Sequence, residues 1–224
     1  MRSEASLASV RRSGVVPLLS SSDPGVLWQA ANAVVDAGFE VIEVALREPG
    51  VLPALERLIE RIDRAGLPLT VGAGTVLDVA SASAAIDAGA GFVFSPVLSP
   101  EVGVRCGSDA VAWFPGCATP TEVRTALELG CDAVKLFPAD LIGGPRFLRA
   151  LRSVLGDLPA IPSGGIDPRS GDLADWFEAG AVAVGAGSSL FPGAAIASGD
   201  WDEIGRRLVA AAQAVASARR GEAE

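Results

Sequence analysis

Residues 119–138, TPTEVRTALELGCDAVKLFP, contain the pattern that decides the fold. Thr119 followed by Pro120 is a typical helix start, and Gly130 is a typical helix stop. The residues that come next, 132–138, form a short apolar run that predicts a buried strand. A helix that leads directly into a strand is the repeating unit of α/β proteins.

The same unit recurs along the chain, because phrases such as DAGFE, DAGAGF and EAGAVA each place a glycine between a helix end and a strand. Strands that alternate with helices pair in parallel through right-handed crossovers. The predicted strands are residues 15–19, 39–46, 68–74, 91–96, 110–116, 132–138, 160–165 and 181–187.

Eight such units predict an α/β protein with the closed (β/α)8 TIM barrel, as a single domain over residues 1–224. An additional N-terminal helix is expected within residues 3–14, and a last helix within 200–218. Residues from about 217 to 224 are expected to form a disordered tail. The alternative is an open doubly wound sheet, but the first turn, LLSSSDPG, lacks the G-x-G-x-x-G fingerprint of that fold.

The net charge and the hydropathy pattern indicate which classes of binding partner are unfavourable for this chain. The net charge of −9 disfavours binding to nucleic acid or to an anionic membrane. Residues 179–199 carry no charge, but their glycines, serines and Pro192 favour a strand and a turn over a membrane helix. No signal peptide is recognised at the N-terminus, so a cytoplasmic location is expected.

The composition also restricts the chemistry. The chain has no histidine and no tyrosine, which excludes Ser-His-Asp hydrolysis and histidine metal sites. Cys106, Cys117 and Cys131 form no C-x-x-C pair, so neither a zinc site nor a disulfide framework is expected. A cysteine nucleophile would lack its usual basic partner. We therefore expect no metal and no cofactor.

Lys135 is the only lysine among 18 Lys and Arg residues, and it stands within an apolar strand. The two-residue period of strands turns Lys135 and Phe137 into the predicted barrel, together with Glu43 and Arg47 from the second strand. Thr75 follows the third strand and is expected at the carboxyl end of the barrel, where barrel enzymes have their active sites.

An inward-facing lysine has two explanations. It could form a buried salt bridge that only supports the barrel. Alternatively, burial and a nearby arginine keep the amine neutral, so that it attacks a carbonyl carbon. Arginine cannot replace such an amine, because its guanidinium stays protonated.

Two glycine-rich turns follow the last two strands, PSGGID at 162–167 and GAGSS at 185–189. Glycine also ends strands for conformational reasons alone. The loops after the seventh and eighth strands are, however, the usual phosphate site of these barrels, so the pair of turns favours phosphate binding.

Five motifs, EVALRE, VGAGTVL, FPGCATPTE, VKLFPAD and SGGI, resemble those of the 2-keto-3-deoxy-6-phosphogluconate (KDPG) aldolases, which include 4-hydroxy-2-oxoglutarate (KHG) aldolases. The resemblance extends from about residue 15 to about residue 215. It implies a metal-independent class I aldolase on a (β/α)8 barrel, assembled as a homotrimer.

The resemblance also implies roles for individual residues. Lys135 would form the Schiff base, and Glu43 would be the general acid/base. Arg47 and Thr75 would hold the carboxylate of the pyruvate moiety, with Phe137 packed beside it. The residues near the phosphate end would be Ser163, Gly164, Gly165, Gly187 and Ser188, with Ser189 as the alternative to Ser188.

The implied substrate is a keto-deoxy sugar acid phosphate, cleaved to pyruvate and glyceraldehyde 3-phosphate, with hydroxy-oxoglutarate as a further substrate. Ala45 and Glu48 depart from the family pattern, and PGCAT resembles the related phosphogalactonate aldolases. Arg47 and Ser163 favour the gluconate type. A phosphosugar isomerase or epimerase and a non-catalytic phospho-metabolite-binding barrel remain as alternatives.

Overall fold

The computed structural model of the chain describes residues 2–221. Its strands are β1 (Val15–Leu19), β2 (Val41–Ala45), β3 (Thr70–Gly74), β4 (Phe92–Phe94), β5 (Ala112–Phe114), β6 (Gly116–Cys117), β7 (Val134–Leu136), β8 (Ala160–Pro162) and β9 (Val184–Ala186). Its helices are α1 (Arg2–Ser13), α2 (Pro24–Asp36), α3 (Val51–Ala65), α4 (Val79–Asp87), α5 (Pro100–Ser108), α6 (Pro120–Glu128), α7 (Gly144–Leu155), α8 (Leu173–Glu178), α9 (Gly193–Ser198) and α10 (Trp201–Gly221).

The strands form a curled α/β arrangement of two parallel sheets. A six-stranded sheet has the order β5-β4-β3-β2-β1-β9, and a three-stranded sheet has the order β6-β7-β8. Each pair between named strands is parallel. Two isolated parallel bridges, Ala160 with Ala181 and Ser163 with Gly185, join the β8 region to the β9 region.

The fifth predicted strand, residues 110–116, is divided in the structure. β5 pairs with β4, and β6 pairs with β7, with Pro115 between the two segments. Proline has no N–H to continue a ladder, but its carbonyl still accepts a hydrogen bond from the Lys135 N–H at 2.9 Å. The predicted segment is therefore extended as expected, but its interruption at Pro115 was not predicted.

The predicted helix signals act as expected at α6. The Thr119 side chain accepts a hydrogen bond from the Glu122 N–H, and the Glu122 carboxylate accepts one from the Thr119 N–H, at 3.3 and 2.9 Å. Gly130 then takes a left-handed φ of 77° and ends the helix. The strand β7 begins four residues later, at Val134.

The alternation of side chains separates two buried clusters. Residues of one cluster lie on the side that meets the helices, among them Ile42, Val44, Val134 and Leu136. The other cluster fills the space that the strands surround, and its members are Val10, Val16, Val41, Phe92, Phe94, Ala112, Phe114, Ala133, Ile161 and Ala183. The inward direction predicted for Glu43 and Lys135 agrees with this division, because Val41 and Ala133, two residues before each, belong to the inner cluster.

The predicted N-terminal helix is present as α1, and its Val10 belongs to the inner cluster. The last helix, α10, extends to Gly221, and so it includes the first residues of the expected tail. Arg219 in its last turn donates hydrogen bonds to the carbonyls of Arg11 and Arg12, which holds this end of α10 on α1. Residues 222–224 of the expected tail lie outside the described residues. No helix within residues 2–221 is long and apolar enough to cross a membrane.

Candidate active site

Lys135 and Glu43 form a buried pair inside the ring of strands. Lys135 lies in the middle of β7 and Glu43 in the middle of β2, and Nζ is 4.0 Å from Oε1. Their side chains are 7% and 2% exposed. The amine also lies over two aromatic rings, 5.0 Å from the Phe94 centroid and 5.3 Å from the Phe137 centroid. The amine therefore has a carboxylate and two rings as neighbours, and little contact with solvent.

The carboxylate of Glu43 lies against a glycine of the neighbouring strand. In the β2–β3 register Ala45 is opposite Gly74, and a Cβ on Gly74 would overlap the Oε1 atom of Glu43. Oε2 of Glu43 is buried and accepts no hydrogen bond from the described residues. A buried carboxylate oxygen is costly to leave unpaired, so this atom is available to a substrate hydroxyl or a water.

Arg47 and Thr75 follow the carboxyl ends of β2 and β3, which are parallel neighbours, so both residues lie at the same end of the sheet. Arg47 is exposed and Thr75 is half-buried. Thr75 has a φ of 59°, in the left-handed region that a β-branched residue rarely adopts. Such strain is typical of functional sites.

The two glycine turns lie beside each other. Gly164 and Gly165 both have left-handed φ values, 97° and 70°. Ser163 is buried, its Oγ has no partner among the described residues, and a Cβ on Gly185 would overlap that oxygen. The Ser189 hydroxyl donates to the Ile166 carbonyl at 3.1 Å, which ties the second turn to the first.

One cavity of about 730 Å³ joins all these groups. Its wall includes the ten residues that sequence analysis singled out, which are Glu43, Arg47, Thr75, Lys135, Phe137, Ser163, Gly164, Gly165, Gly187 and Ser188. Ser189, the alternative to Ser188, lines it as well. The predicted residues thus come together from strands and loops that are far apart in the sequence.

Four further aromatic or charged side chains near this cavity were not predicted from the sequence: Phe94, Asp167, Arg169 and Arg207. Phe94 contacts the amine, and the FVF strand β4 gave a signal for it because every second residue of an inward-facing strand points inward. Asp167, Arg169 and Arg207 line the cavity. The first two follow the SGGI motif in the sequence, whereas nothing local marks Arg207, which comes from α10.

The cysteines do not have the properties of nucleophiles: Cys106 and Cys117 are buried, and Cys131 is half-buried. Burial raises the pKa of Cys106, Cys117 and Cys131 to about 12 in each case. A thiol with such a pKa stays protonated near neutral pH and reacts slowly. Within residues 2–221, no three His, Cys, Asp or Glu side chains are grouped in a way that would hold a metal ion.

The arrangement fits covalent chemistry on a carbonyl group. A buried amine is a nucleophile for such a carbon, and a carboxylate 4.0 Å from that amine can move protons. Arg47, which follows β2, and the glycine turns, which follow β8 and β9, all line the cavity and can each bind a negatively charged group.

Comparisons with known proteins agree with this geometry. A family model described as "Aldolase: KDPG and KHG aldolase" matches residues 7–207. The chain is 34% identical over 196 residues to the 2-dehydro-3-deoxy-phosphogluconate aldolase of Treponema pallidum, covering 88% of this chain and 90% of that protein. It is also 34% identical over 178 residues to the 2-dehydro-3-deoxy-6-phosphogalactonate aldolase of Escherichia coli K12, covering 79% and 84%.

Solved structures give the same result. The KDPG aldolase of Legionella pneumophila, with pyruvate captured as a covalent carbinolamine intermediate, superposes with a TM-score of 0.83 at 29% identity. That match covers 92% of this chain and 97% of the other. A 4-hydroxy-2-oxoglutarate/2-dehydro-3-deoxyphosphogluconate aldolase from TTHB1 has a TM-score of 0.80 at 33% identity, with 93% and 97% covered.

Proposed function

Because this chain belongs to the KDPG and KHG aldolase family, we propose that it is the aldolase that cleaves 2-keto-3-deoxy-6-phosphogluconate to pyruvate and glyceraldehyde 3-phosphate. The observation that carries the proposal is the buried Lys135 amine, 4.0 Å from the Glu43 carboxylate, in a cavity that Arg47 and the two glycine turns also line. Cleavage of 4-hydroxy-2-oxoglutarate to pyruvate and glyoxylate follows the same chemistry.

In the proposed mechanism Lys135 forms the covalent intermediate. Its neutral amine attacks C2 of the keto acid to give a carbinolamine, and loss of water leaves a protonated imine. Arg47 and Thr75 bind the adjacent carboxylate and hold C2 against the amine, with Phe137 beside it. The burial of Lys135 among Phe94, Phe137 and Glu43 supports this role, because water there is scarce.

Glu43 moves the protons in this mechanism. Directly or through a water, it takes the proton of the C4 hydroxyl while the C3–C4 bond breaks, and the bonding electrons pass into the imine as an enamine. The aldehyde leaves, C3 of the enamine takes up a proton, and water releases pyruvate from the lysine. The unpaired Oε2 of Glu43 supports this assignment, since it has an open hydrogen-bonding position.

The phosphate of the substrate would lie at the two glycine turns, with Ser163, Gly164, Gly165, Gly187 and Ser188 around it. The left-handed backbone at Gly164 and Gly165 lets the chain approach an anion closely. Within residues 2–221, the N–H groups of Gly165 and Ser188 donate to no other residue, which leaves them available to phosphate oxygens.

The phosphogalactonate analogue is the second candidate substrate, because the relative from Escherichia coli K12 is named for it at 34% identity. The two compounds differ in configuration at C4, the carbon whose hydroxyl Glu43 addresses. Arg47 and Ser163 support the gluconate type by resemblance, because the phosphogalactonate aldolases tend to lack this arginine and often have an apolar residue in place of the serine.

The test is pyruvate release from a panel of keto acids by the purified protein. We expect the highest kcat/KM for the phosphogluconate compound, a lower value for its galactonate epimer and a lower value still for hydroxy-oxoglutarate. A preference for the galactonate epimer would reassign the substrate and keep the mechanism. Absence of pyruvate from the whole panel would instead favour a binding protein without turnover.

We also propose that the two sheets close into a single eight-unit barrel over the whole domain. The bridges between the β8 and β9 regions support closure on one side, and the short separation of β5 from β6 supports it on the other. A homotrimer in the cytoplasm is proposed from family resemblance, and sedimentation of the purified protein tests its oligomeric state.

A further inference from the structure

Four charged side chains form a cluster at the rim of the cavity, which we call the rim cluster: Asp167, Arg169, Glu203 and Arg207. Arg169 Nη2 is 2.7 Å from an Asp167 carboxylate oxygen, and Arg207 Nε is 2.7 Å from a Glu203 carboxylate oxygen. The two arginine side chains are 28% and 26% exposed, so they are neither buried with Lys135 nor free in solvent. Both arginines line the cavity.

The two ion pairs of the rim cluster lie within electrostatic reach of each other. Burial raises the pKa of Asp167, but hydrogen bonds from Arg169 and the charges of Arg169 and Arg207 outweigh it and lower that pKa overall. The hydrogen bond to Asp167, with a contribution from the charge of Glu203, raises the pKa of Arg169. Asp167 and Arg169 therefore stay ionised together near neutral pH.

Each guanidinium is oriented by hydrogen bonds through two of its nitrogens, and its third nitrogen has no acceptor among the described residues. The Asp167 carboxylate accepts hydrogen bonds from Nε and Nη2 of Arg169, and no described residue accepts a hydrogen bond from Nη1 of Arg169. Arg207 donates through Nε to Glu203 and through Nη1 to the Ser189 carbonyl, and no residue within 2–221 accepts from its Nη2. Arginine has five donors in a fixed plane, so both side chains arrive oriented and only partly satisfied.

We propose that Arg169 and Arg207 bind the phosphate of the substrate and set a preference for phosphorylated over unphosphorylated keto-deoxy sugar acids. This inference rests on the proposed aldolase function, which already includes a phosphorylated substrate, and adds two specificity-determining residues to it. Arg207 bonds to the Ser189 carbonyl of the second glycine turn, which puts its charge beside the backbone groups assigned to the phosphate. Guanidinium groups match phosphate oxygens in a paired geometry, and a doubly charged phosphate gains more from them than a hydroxyl does.

The experiment compares kcat/KM for 2-keto-3-deoxy-6-phosphogluconate with kcat/KM for the same compound without phosphate. In Arg169→Gln and in Arg207→Gln we expect the preference for the phosphorylated compound to fall about 10-fold to 100-fold, as for loss of a hydrogen bond to a charged group. The loss should appear mainly in KM. Arg169→Lys and Arg207→Lys keep the charge and should restore part of the preference.

Arg206→Gln is the matched control. Arg206 is the neighbour of Arg207 and donates to the same Glu203 at 2.9 Å, but its side chain is 67% exposed and does not line the cavity. It should keep the wild-type preference. A purely structural role for the arginines predicts equal losses on both substrates, and either that result or an unchanged preference in both glutamine variants would overturn the proposal.

Inorganic phosphate gives a readout that does not depend on turnover. It should raise the Tm of the wild-type protein and of Arg206→Gln, and raise it much less in Arg169→Gln and Arg207→Gln. Equal stabilisation of all four proteins would contradict the arginine site. If the panel above yields no pyruvate but phosphate still discriminates among these variants, the aldolase proposal fails while the anion site stands.

Discussion

Lys135 combines two properties that a purely structural cation would not need together. It is the only lysine in the chain, and its side chain is 7% exposed beside a carboxylate and two aromatic rings. A buried ion pair adds little stability compared with well-packed apolar residues. The choice of an amine at this position therefore fits a chemical step better than it fits support of the strands.

Replacing Lys135 by arginine tests that explanation. Lys135→Arg should abolish turnover and also abolish the covalent adduct that borohydride traps with pyruvate, because arginine offers no free amine near neutral pH. The adduct is located by mass spectrometry of the digested protein. Substantial activity in the variant, or an unmodified Lys135 peptide beside undiminished cleavage, would mean that Lys135 is a structural partner of Glu43.

The Glu43→Gln substitution separates proton transfer from packing. Glutamine keeps the shape of glutamate, so we expect kcat to fall by about 10²-fold or more and KM to change much less. Pyruvate trapping at Lys135 should persist, since the amine is still present. Near-normal turnover would assign the proton transfer to another group.

Residues of this site were predictable where one strand period determines them. Inward-facing Glu43, Lys135 and Phe137 follow from alternation, which requires no knowledge of distant contacts. The left-handed φ of Thr75 was not predictable, because β-branched residues disfavour it. Arg207 was missed because helix α10 brings it to the cavity through a tertiary contact that its own sequence does not encode.

At the scale of elements, the pairing of β2 with β3 makes room for the carboxylate. Gly74 has no side chain at the place where Glu43 Oε1 lies. The long acidic side chain of Glu43 on β2 therefore requires a residue without a side chain at position 74 on β3.

Gly74→Ala should therefore lower activity more than it lowers stability. The added methyl group would push the Glu43 carboxylate away from its position, and we expect kcat to fall about tenfold or more, since misplacing a catalytic group by about 1 Å costs up to about 100-fold. Gly107→Ala in α5, where a Cβ meets nothing within 4 Å, is the control and should leave kcat near the wild-type value. Steady-state kinetics and thermal unfolding of the two variants distinguish these outcomes.

The division between β5 and β6 shows that a run of apolar residues predicts a buried extended segment but not where its strand pairing is interrupted. The residues on either side of Pro115 are apolar enough to read as one strand, and Gly116 has space for no Cβ because the backbone of Pro96 occupies it. Pro115 itself was visible in the sequence. Its effect on the hydrogen-bond ladder depends on which strand lies on each side, which only the folded arrangement specifies.

The buried thiols predict a loss of stability in alkali. Burial raises the pKa of Cys106, Cys117 and Cys131 from 9.0 to about 12, so above pH 9 the unfolded chain releases protons that the folded chain retains. The free energy of unfolding should accordingly be unaffected by these groups below pH 9 and fall as the pH rises toward 12. Urea unfolding at a series of pH values measures it.

Few other side chains interfere with that measurement, because the chain has no tyrosine and Lys135 is its only lysine. Cys131→Ala should show a shallower decline than the wild-type protein between pH 9 and 12. A decline of the same steepness would assign the alkaline effect to other groups.

The molecule as a whole has the chemistry of an aldolase without needing a metal ion. In the proposed mechanism the imine on Lys135 withdraws electrons from the breaking bond, which is the task that a metal ion performs in the other mechanism for aldol cleavage. We expect EDTA to leave pyruvate release within about twofold of the untreated rate, because no step of the proposed mechanism uses a metal ion. Activity that is lost in EDTA and returns with a divalent cation would contradict the imine mechanism.

A single buried lysine also determines how the protein can be attached to other materials. Reagents that couple to amines are the usual route to resins, dyes and cross-linked assemblies, and here the only side-chain amine lies inside the cavity with 7% exposure. The cationic surface consists of arginines, which do not react under the same conditions. Bulky amine-reactive supports would therefore find no lysine within reach on the surface, and attachment through a side chain would need arginine-directed or thiol-directed chemistry instead.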